Sequence, residues 1–328
     1  MRSSLPPSPV VVITGASSGI GRATALAFAQ QRARLVLAAR GTEALERVAA
    51  QCARLGAQAI AVPTDVTDAK AVRALAGAAL RRFGGIDVWI NNVGVGAVGR
   101  FEATPMEAHR RVLEANLLGH MHGAHAVLPH FRSQHSGVLI NMISLGGWVA
   151  TPYAGAYTAS KFGLRGWSAA LRAELSDLPG VHVCDVCPTF VDTPGLQHGA
   201  NYTGRKLSPP PPLDPDAVAS AIVRLARRPR PTLWLGAGTL AGRLAQSAAP
   251  ATTGRIGKWV ADRALARAER TPITQGNLFD ASRHPAVHGG FRPEPKPRNK
   301  LALGLGLAVV GAVALGVLLA TQGRGERS

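Results

Sequence analysis

The feature that most constrains the fold of this chain is a glycine cluster between an apolar run and a helical pattern. Residues 10–13 are Val-Val-Val-Ile, a β-branched run that predicts a buried parallel strand. Gly15, Gly19 and Gly21 follow at once, and residues 23–31 have helical spacing. Glycine also collects in turns for steric reasons alone. With a strand before it and a helix after it, the cluster predicts a turn that binds the phosphates of a dinucleotide at the helix N-terminus.

Strand and helix patterns alternate along the next 160 or so residues, as in βαβ units. The predicted strands are 10–13, 34–39, 59–62, 87–90, 137–143 and 181–186, and the predicted helices include 23–31, 42–55, 68–82 and 153–176. Another helix is predicted to begin at Thr104-Pro105-Met106-Glu107, a capping box with proline at the first helical position. Such alternation implies an α/β fold, a Rossmann-type doubly wound parallel sheet with helices on both faces.

The end of the second predicted strand bears on the choice of dinucleotide. In such folds an acidic residue about 20 positions past the glycines binds the ribose of NAD, whereas an arginine accommodates the 2′-phosphate of NADP. Ala39 and Arg40 occupy this junction, and no carboxylate is present until Glu43. Because a guanidinium forms charge-assisted hydrogen bonds with phosphate, NADP(H) is the expected cofactor, with NAD(H) as the alternative. A solvated surface arginine in an arginine-rich chain is the competing interpretation.

Three residues in the second half of the predicted α/β domain indicate acid–base catalysis. Tyr157 and Lys161 share one face of a predicted helix. A cationic lysine and an oxidised nicotinamide stabilise a phenolate, which lowers the phenol pKa from about 10 into the range for acid–base catalysis. Ser144 follows a predicted strand, where its hydroxyl could polarise a carbonyl. A Tyr–Lys pair four residues apart is usually structural, but this position, with the serine ahead of it, predicts a nicotinamide-dependent oxidoreductase.

Together these motifs resemble the short-chain dehydrogenases/reductases over about residues 8 to 240. The matching residues are Thr14-Gly15-x-x-x-Gly19-x-Gly21, Asp65-Val66, Asn91-Asn92-x-Gly94, Asn116, Ser144, Tyr157-x-x-x-Lys161, and Pro188 with Thr193. The resemblance implies that Tyr157 is the acid/base and that Lys161 lowers its pKa and holds the ribose hydroxyls. It also implies that Ser144 orients the carbonyl and that Asn116 holds a proton-relay water.

The resemblance further implies a cofactor cleft in which Asp65 contacts the adenine, Asn92 lines the cleft and Thr193 binds the carboxamide. The implied cofactor-binding residues are Thr14, Gly15, Ser17, Ser18, Gly19, Ile20, Gly21, Arg40, Asp65, Val66, Asn92, Gly94, Tyr157, Lys161, Pro188 and Thr193. The chain departs from the family pattern at Val93, where alanine is usual, and at Thr189, where glycine is common. Neither change removes a catalytic atom. Members of the family are commonly dimers or tetramers, so a homo-oligomer is expected.

The basic charge of the chain is concentrated towards its C-terminus. Residues 201–328 hold 19 Lys+Arg and 7 Asp+Glu, against 18 and 12 in residues 1–200. A basic patch is one mark of nucleic-acid binding, but no stacking aromatics or recognised motif accompany these charges, and nucleic acid is not an expected partner. The run 301–320 contains only Leu, Ala, Gly and Val, and its length matches the hydrocarbon core of a bilayer. A soluble helix is rarely apolar all round for five turns, so a transmembrane helix is predicted.

The residues flanking this run predict its orientation. Four basic residues lie upstream, Arg292, Lys296, Arg298 and Lys300, and two downstream, Arg324 and Arg327. Basic flanks tend to remain cytoplasmic, and residues 1–9 lack the features of a signal peptide. The catalytic domain is therefore expected in the cytoplasm, at a bacterial inner membrane, with the lipid bilayer as a partner. The C-terminus also resembles a bacterial, membrane-tethered branch of the family.

These patterns divide the chain into four parts. They are a catalytic domain (1–240), a basic helical and linker extension (241–300), a transmembrane helix (301–320) and a short tail (321–328). Residues 240–270 could lie on the membrane or pack on the domain, and the sequence favours neither. A small-residue stripe, Gly304, Ala308, Ala312 and Gly316, is compatible with helix pairing in lipid, although composition alone could produce it.

Two other motifs are interpreted as structural. Cys184-x-x-Cys187 ends a predicted strand and is interpreted as buried small apolar residues rather than a redox pair. His120, His122 and His125 lack an evident convergent fourth donor, and no metal site is predicted. Two functions remain: an NADP(H)-dependent carbonyl reductase or alcohol dehydrogenase acting on a hydrophobic substrate, and a catalytically idle nucleotide-binding scaffold. The complete set of polar site residues favours the enzyme.

Overall fold

The computed structural model describes residues 5–208, 210–236, 238–282 and 285–292. The strands in this part of the chain are β1 Val10–Thr14, β2 Arg34–Ala39, β3 Gln58–Pro63, β4 Val88–Asn91, β5 Ala97–Val98, β6 Gly137–Met142, β7 Val181–Pro188, β8 Ala200–Asn201 and β9 Thr232–Leu235. The α-helices are α1 Gly19–Ala29, α2 Thr42–Arg54, α3 Ala69–Phe83, α4 Met106–Leu113, α5 Gly119–Gln134, α6 Gly155–Glu174, α7 Gly195–His198, α8 Pro215–Arg227, α9 Gly238–Ala248 and α10 Pro250–Arg267. A π-helical turn, Glu114–Leu118, joins α4 to α5.

The main sheet has the strand order β3-β2-β1-β4-β6-β7-β9, and every neighbouring pair is parallel. The order reverses between β1 and β4, and in open parallel sheets ligands bind at the carboxyl ends of the strands where this reversal occurs. The predicted doubly wound parallel sheet is confirmed. Strand β9 is an addition that the sequence pattern did not predict, and it pairs with β7 through residues 232–235.

Apolar side chains cover both faces of the sheet. On one face Phe28, Leu45 and Ile222 bring α1, α2 and α8 against the strands. On the other, Leu75 and Phe131 do the same for α3 and α5, with α6 beside them. These side chains are at most 1% exposed, so hydrophobic burial on both faces holds the carboxyl ends of the strands in fixed positions.

Two predicted helix starts differ from the structure. Helix α1 begins at Gly19 rather than residue 23, so the last glycines of the cluster lie within its first turn. Helix α4 has Pro105 rather than Thr104 as its N-cap. The Thr104 hydroxyl instead donates to the Arg100 carbonyl at 2.9 Å, within the preceding turn. Because that hydroxyl is used upstream, the predicted capping box does not form.

The region after residue 237 forms two helices, α9 and α10. Pro250 lies at the start of α10, a position that proline favours because it cannot continue the preceding helix. No helix in the described residues is long and apolar enough to cross a membrane. The predicted span 301–320, its flanks in 293–300 and 321–328 and its small-residue stripe lie outside the described residues. Cys184 and Cys187 are buried free thiols, which confirms their interpretation as buried residues.

Candidate active site

The glycine turn lets the main chain pack closely at the N-terminus of α1. Gly15 has a φ of 67° and Gly19 a φ of 54°, in the left-handed region that favours glycine. A Cβ added at Gly21 would lie 2.2 Å from the Gly15 carbonyl oxygen and 2.6 Å from Asn92 Nδ2. Only glycine fits there, and the cradle has the form required for a dinucleotide pyrophosphate.

Asn92 ties this turn to the end of β4. Its side-chain Nδ2 donates to the carbonyl oxygens of Thr14 at 3.2 Å and Gly15 at 3.3 Å. Its backbone N–H donates to Thr14 Oγ1 at 3.0 Å, and that hydroxyl donates to the Ile90 carbonyl. Asn92 and Thr14 therefore shape the cleft by holding two strand ends together.

The other predicted residues of the phosphate end surround this turn. Ser17, Ser18 and Ile20 are half-buried at the start of α1, and Ser18 is its N-cap without a side-chain capping bond. Thr193, in the loop after β7, packs on the turn: a Cβ at Gly19 would lie 3.1 Å from Thr193 Cβ. Pro188, buried, ends β7. The structure thus brings together the glycine turn and the loop predicted to hold the nicotinamide.

The adenine end of the cleft is organised around Asp65. Its Oδ2 accepts a hydrogen bond from Arg111 Nη2 at 2.7 Å, and its Oδ1 accepts from the Thr67 backbone N–H and hydroxyl. Burial alone would raise the pKa of Asp65, but the hydrogen bonds from Thr67 and Arg111 outweigh it and hold that pKa below its ordinary value. The side chain of Val66, unlike that of Asp65, is buried and packs on α5, where it lies 2.7 Å from the Cβ position of Gly119.

Arg40 is half-buried, and backbone carbonyl groups occupy its guanidinium. Its Nη1 donates to the Leu278 and Phe279 carbonyls at 3.1 and 2.8 Å, and its Nη2 to those of Asn277 and Asp280 at 2.7 and 2.5 Å. Burial lowers the pKa of Arg40 from its ordinary value. Arg40 lies at the end of β2, where the sequence predicted it, but its guanidinium binds a distant segment of the same chain.

Helix α6 carries the predicted Tyr–Lys pair on one face. Lys161 Nζ lies 5.8 Å from the centre of the Tyr157 ring and donates to the Met142 carbonyl at 2.8 Å. A Cβ added at Gly94 would lie 3.8 Å from Lys161 Nζ, so Gly94 also lies against the amine. Lys161 is 3% exposed, and burial lowers the pKa of its ammonium to about 7. This amine is therefore poised to gain or lose a proton near neutral pH.

The pKa of the Tyr157 phenol is shifted upwards in the structure. Burial raises the pKa of Tyr157, and a hydrogen bond with Ser144 only partly counters this effect. The lowering expected from Lys161 together with an oxidised nicotinamide stays a prediction, and it would have to outweigh the desolvation of the phenolate.

Ser144 is held in a strained backbone conformation beside the phenol. Its φ of 115° is rare for a residue with a Cβ, and such conformations cluster at functional sites. Its Oγ accepts from the Gly146 N–H at 3.1 Å, and a Cβ at Gly146 would lie 2.9 Å from Tyr157 Cε1. Gly146 is a site residue that the sequence analysis missed, since only the folded contact reveals that a side chain there would strike the tyrosine.

Asn116 lies in the π-helical turn between α4 and α5 and is fully buried. Its Oδ1 accepts from the Val95 N–H at 2.8 Å, and its Nδ2 donates to the Val95 carbonyl at 2.9 Å and to Ser160 Oγ at 3.2 Å. Ser160 Oγ in turn donates to the Tyr157 carbonyl. Both Nδ2 hydrogens of Asn116 are therefore used, whereas Oδ1 has a second acceptor site, and its role in holding a relay water stays a prediction.

Helices α9 and α10 pack beside the catalytic residues. A Cβ at Gly242 would lie 3.6 Å from Leu145 Cδ1 and 3.4 Å from Val149 Cγ2, and the Tyr153 hydroxyl donates to Asp262. The Trp148 and Trp234 rings pack nearby, with centroids 5.0 Å apart. The sequence left the position of residues 240–270 open, and the structure places both helices on the domain. Their outer faces still expose four large apolar side chains, Leu240, Leu244, Trp259 and Val260.

Two of the clustered histidines bind backbone carbonyl groups. His120 Nε2 lies 2.9 Å from the Val93 carbonyl oxygen, and His122 Nδ1 lies 2.9 Å from that of Val66. Burial lowers the pKa of His120 to about 3, so this imidazole is neutral at physiological pH. Both side chains therefore serve the packing of α5 against the cleft walls.

Comparison with known proteins agrees with this geometry. Residues 9–201 match the protein family described as short chain dehydrogenase. The uncharacterized oxidoreductase YxnA of Bacillus subtilis is 33% identical over 278 residues, which cover 83% of this chain and 78% of that protein. The human dehydrogenase/reductase SDR family member 7 is 36% identical over 183 residues, 55% of this chain and 54% of its own length.

Two solved structures share the fold. An alcohol dehydrogenase from Thermococcus sibiricus, complexed with 5-hydroxy-NADP, has a TM-score of 0.63 and 30% identity over 70% of this chain and 96% of its own. A short-chain dehydrogenase/reductase from Burkholderia phymatum, in complex with NAD, has a TM-score of 0.63 and 28% identity over 81% and 98%. The fold and the site define a dinucleotide-dependent oxidoreductase. The chain belongs to the short-chain dehydrogenase/reductase family.

Proposed function

We propose that the protein interconverts a carbonyl and an alcohol on a hydrophobic small molecule, with NADP(H) as cofactor and Tyr157 as the acid/base. The observation that carries this proposal is the convergence of Ser144, Tyr157 and Lys161 at the carboxyl edge of the sheet. Ser144 Oγ and Tyr157 Cε1 both lie against Gly146, at 3.7 and 2.9 Å from its Cβ position, and Lys161 lies behind the phenol ring. A scaffold that only bound a nucleotide would need neither a strained serine nor a buried amine.

The residues of the cleft fit a dinucleotide, since Gly15 and Gly19 adopt positive φ and Gly21 admits no side chain, which lets the main chain approach phosphates closely at the start of α1. When bound, the nicotinamide supplies or accepts the hydride at the substrate carbon. The chain supplies the proton and the positioning. In reduction the Tyr157 hydroxyl donates its proton to the carbonyl oxygen, which Ser144 Oγ orients. The ammonium of Lys161 favours the phenolate that remains, and its raised acidity matches proton movement near neutral pH.

The preference for NADP(H) is supported by the residues at the end of β2. Arg40 is the cation nearest this junction, and no carboxylate on β2 or directly after it would repel a 2′-phosphate. Arg111 adds a second guanidinium at the same end of the cleft, where it binds Asp65. Once Arg40 leaves the carbonyl groups that it binds in the structure, two guanidinium groups at this corner favour an added phosphate.

A hydrophobic substrate is supported by the apolar residues of the turn after Ser144, whose Gly146 lies against the Tyr157 ring. Leu145, Val149 and Trp148 face α9 across the catalytic turn, and Arg243 stacks over Trp148 at 4.6 Å from the ring centre. The outer faces of α9 and α10 expose Trp259, which is 61% exposed, among arginine side chains. Such a face suits the interface of an anionic membrane, and it supports the proposal that the enzyme works at a bilayer, with its catalytic domain cytoplasmic.

The experiment that tests this function is a screen for NADPH oxidation over lipid aldehydes, ketones and quinones with the detergent-solubilised full chain. Turnover of at least one carbonyl class, lost in Tyr157→Phe, is the expected result. NADPH binding without turnover on any carbonyl, and without NADP⁺ reduction by the matching alcohols, would favour the idle scaffold instead. Light scattering in the same detergent would measure the expected dimer or tetramer.

A further inference from the structure

After α10 the chain returns across the carboxyl edge of the sheet. Two described stretches of this return, residues 277–282 and 285–292, are here named the cleft strap. They follow the cofactor cleft from its adenine end to the loop after β7. The contacts of the cleft strap with the cleft involve its main chain, mostly carbonyl oxygens, and they occur at three separate places.

At the adenine end, carbonyl groups of the cleft strap accept hydrogen bonds from the two arginine side chains of the cleft. Four successive carbonyls, those of residues 277–280, accept hydrogen bonds from Arg40. The Leu278 carbonyl also accepts from Arg111 Nε at 3.1 Å. The side chain of Leu278 is 1% exposed and lies in an apolar cluster with Val95, Ala108 and Val112, so this end of the cleft strap is anchored by hydrophobic burial.

In the middle, the cleft strap reaches the phosphate end of α1. The Gly19 N–H donates to the Ala286 carbonyl at 2.7 Å, and Arg22 Nη1 donates to the Pro285 carbonyl at 3.0 Å. Gly19 is the first residue of α1, so its N–H is one of the groups that have no partner within the helix. These are the groups that bind a pyrophosphate in this fold.

At the far end, Asp192 holds the cleft strap beside Thr193. The Asp192 carboxylate accepts hydrogen bonds from the backbone N–H groups of Gly289, Phe291 and Arg292 at 3.1, 2.9 and 3.2 Å. The Arg292 side chain pairs with Asp214 at 2.5 Å. This end of the cleft strap is closely packed, because a Cβ at Gly289 would lie 2.5 Å from the Thr193 carbonyl oxygen.

We propose that the cleft strap is an internal ligand of the cofactor cleft that competes with the dinucleotide. Carbonyl oxygens of residues 277–280 and 286 accept from Arg40 and Gly19, the same donors that a 2′-phosphate and a pyrophosphate would use. A donor satisfied by the cleft strap is unavailable to the cofactor, so the cleft strap leaves these donors before the cofactor binds. The affinity measured for the cofactor is then reduced by the fraction of molecules in which the cleft is open.

This inference rests on the proposed function, since it assumes that a phosphorylated dinucleotide binds this cleft. The opposite role, a clasp that closes over bound cofactor and slows its release, would use the same segment. The two roles predict opposite effects of loosening the cleft strap. Competition predicts tighter cofactor binding, whereas a clasp predicts weaker binding.

The test compares two loosened variants with a matched control in the detergent-solubilised full chain. Gly289→Ala adds a methyl group against Thr193, and Leu278→Ala removes the buried anchor at the other end. Gly254→Ala adds the same methyl group on α10, where nothing lies within 4 Å. NADPH fluorescence titration should give a Kd lower by several-fold to roughly tenfold in both loosened variants, and an unchanged Kd in the control.

Unchanged or weaker NADPH binding in Gly289→Ala would overturn the competition, even if Leu278→Ala fails to fold. Hydrogen exchange provides a second measurement on the wild type. Saturating NADPH should speed exchange at the amides of Gly289, Phe291 and Arg292, and protection of these amides would instead show a clasp. If neither the wild type nor any variant binds NADPH, the proposed function fails and this inference fails with it. If all bind equally, only this inference fails.

Discussion

Lys161 Nζ lies 5.8 Å from the centre of the Tyr157 ring, and the lysine is buried while the tyrosine is half-buried. Burial therefore acts on the two in opposite directions: it raises the pKa of Tyr157 and lowers the pKa of Lys161 to about 7. Both shifts favour the neutral forms, a phenol that still holds its proton and an amine that readily loses one. Burial of these two groups lowers the stability of the fold, and it sets the protonation states that catalysis uses.

The first prediction concerns the proton donor. Tyr157→Phe keeps the ring that packs against Gly146 but removes the hydroxyl, so turnover should fall by about 10² or more. NADPH binding, measured by fluorescence titration, should persist. Near-normal turnover in this variant would remove Tyr157 from the mechanism.

The second prediction concerns pH and stability. The folded pKa of Lys161 is about 7 against an ordinary 10.5, so between these values the unfolded chain binds more protons than the folded one. The contribution of this group to the free energy of unfolding therefore rises with pH across this window, by up to about 1.4 kcal/mol per unit. Below about pH 7 the full penalty for burying the charge is present.

Lys161→Met removes this titration while keeping an unbranched side chain. The variant should exceed the wild type in free energy of unfolding at neutral pH, and its advantage should shrink as pH rises towards 10.5. Urea unfolding of both proteins at several pH values measures this difference, and parallel profiles would contradict it. Turnover should be lost at every pH, since the amine expected to hold the ribose hydroxyls and to act on the phenol is gone.

The third prediction concerns the choice of cofactor. Arg40→Asp replaces attraction to a 2′-phosphate by repulsion and offers an acceptor to ribose hydroxyls, so the ratio of NADPH to NADH affinity should fall at least tenfold, given about 1.5–3 kcal/mol for a hydrogen bond to a charged group. Arg73→Asp, on an exposed position of α3, makes the same change of charge away from the cleft and should leave the ratio unchanged. Equal affinities for the two cofactors in the wild type would mean that Arg40 does not select between them.

The fourth prediction concerns the glycine turn. Gly21→Ala places a Cβ 2.2 Å from the Gly15 carbonyl oxygen, so the turn must shift, which should lower stability by about 1–3 kcal/mol and weaken NADPH binding. Gly166→Ala, on α6 with nothing within 4 Å, is the matched control and should retain both properties. Wild-type binding and melting temperature in Gly21→Ala would show that the glycine turn accommodates a side chain at this position.

The fifth prediction concerns the membrane. Truncation before residue 301 should release an active domain from the membrane fraction, since the apolar run is then absent. If the exposed face of α10 holds the truncated domain to lipid, Trp259→Ser should complete the release. Protease added to sealed vesicles of known orientation should digest the catalytic domain of the full chain from the cytoplasmic face, and digestion only from the opposite face would reverse the predicted topology.

Local patterns in the sequence were sufficient to predict most of the main sheet and part of the candidate site. Six strands of the main sheet, the glycine turn at α1 and the Tyr157–Lys161 pair were predicted from β-branched runs, glycine spacing and helical periodicity. Each depends on neighbours within a few residues along the chain, whose preferences survive in any context that buries the same faces. The parallel arrangement of the sheet then followed from the alternation of strands and helices.

Tertiary contacts decided the rest. Arg40 was expected to bind a phosphate or water, and it binds Leu278, 238 residues away in sequence, because the chain folds back across the cleft. Strand β9 forms because β7 offers an open edge beside it, although its four residues carry little periodicity of their own. The pKa shifts of Tyr157 and Lys161 depend on how much water the packed domain excludes from them. Periodicity along the chain records which face of an element is buried, whereas only the folded chain determines which distant groups share that buried space.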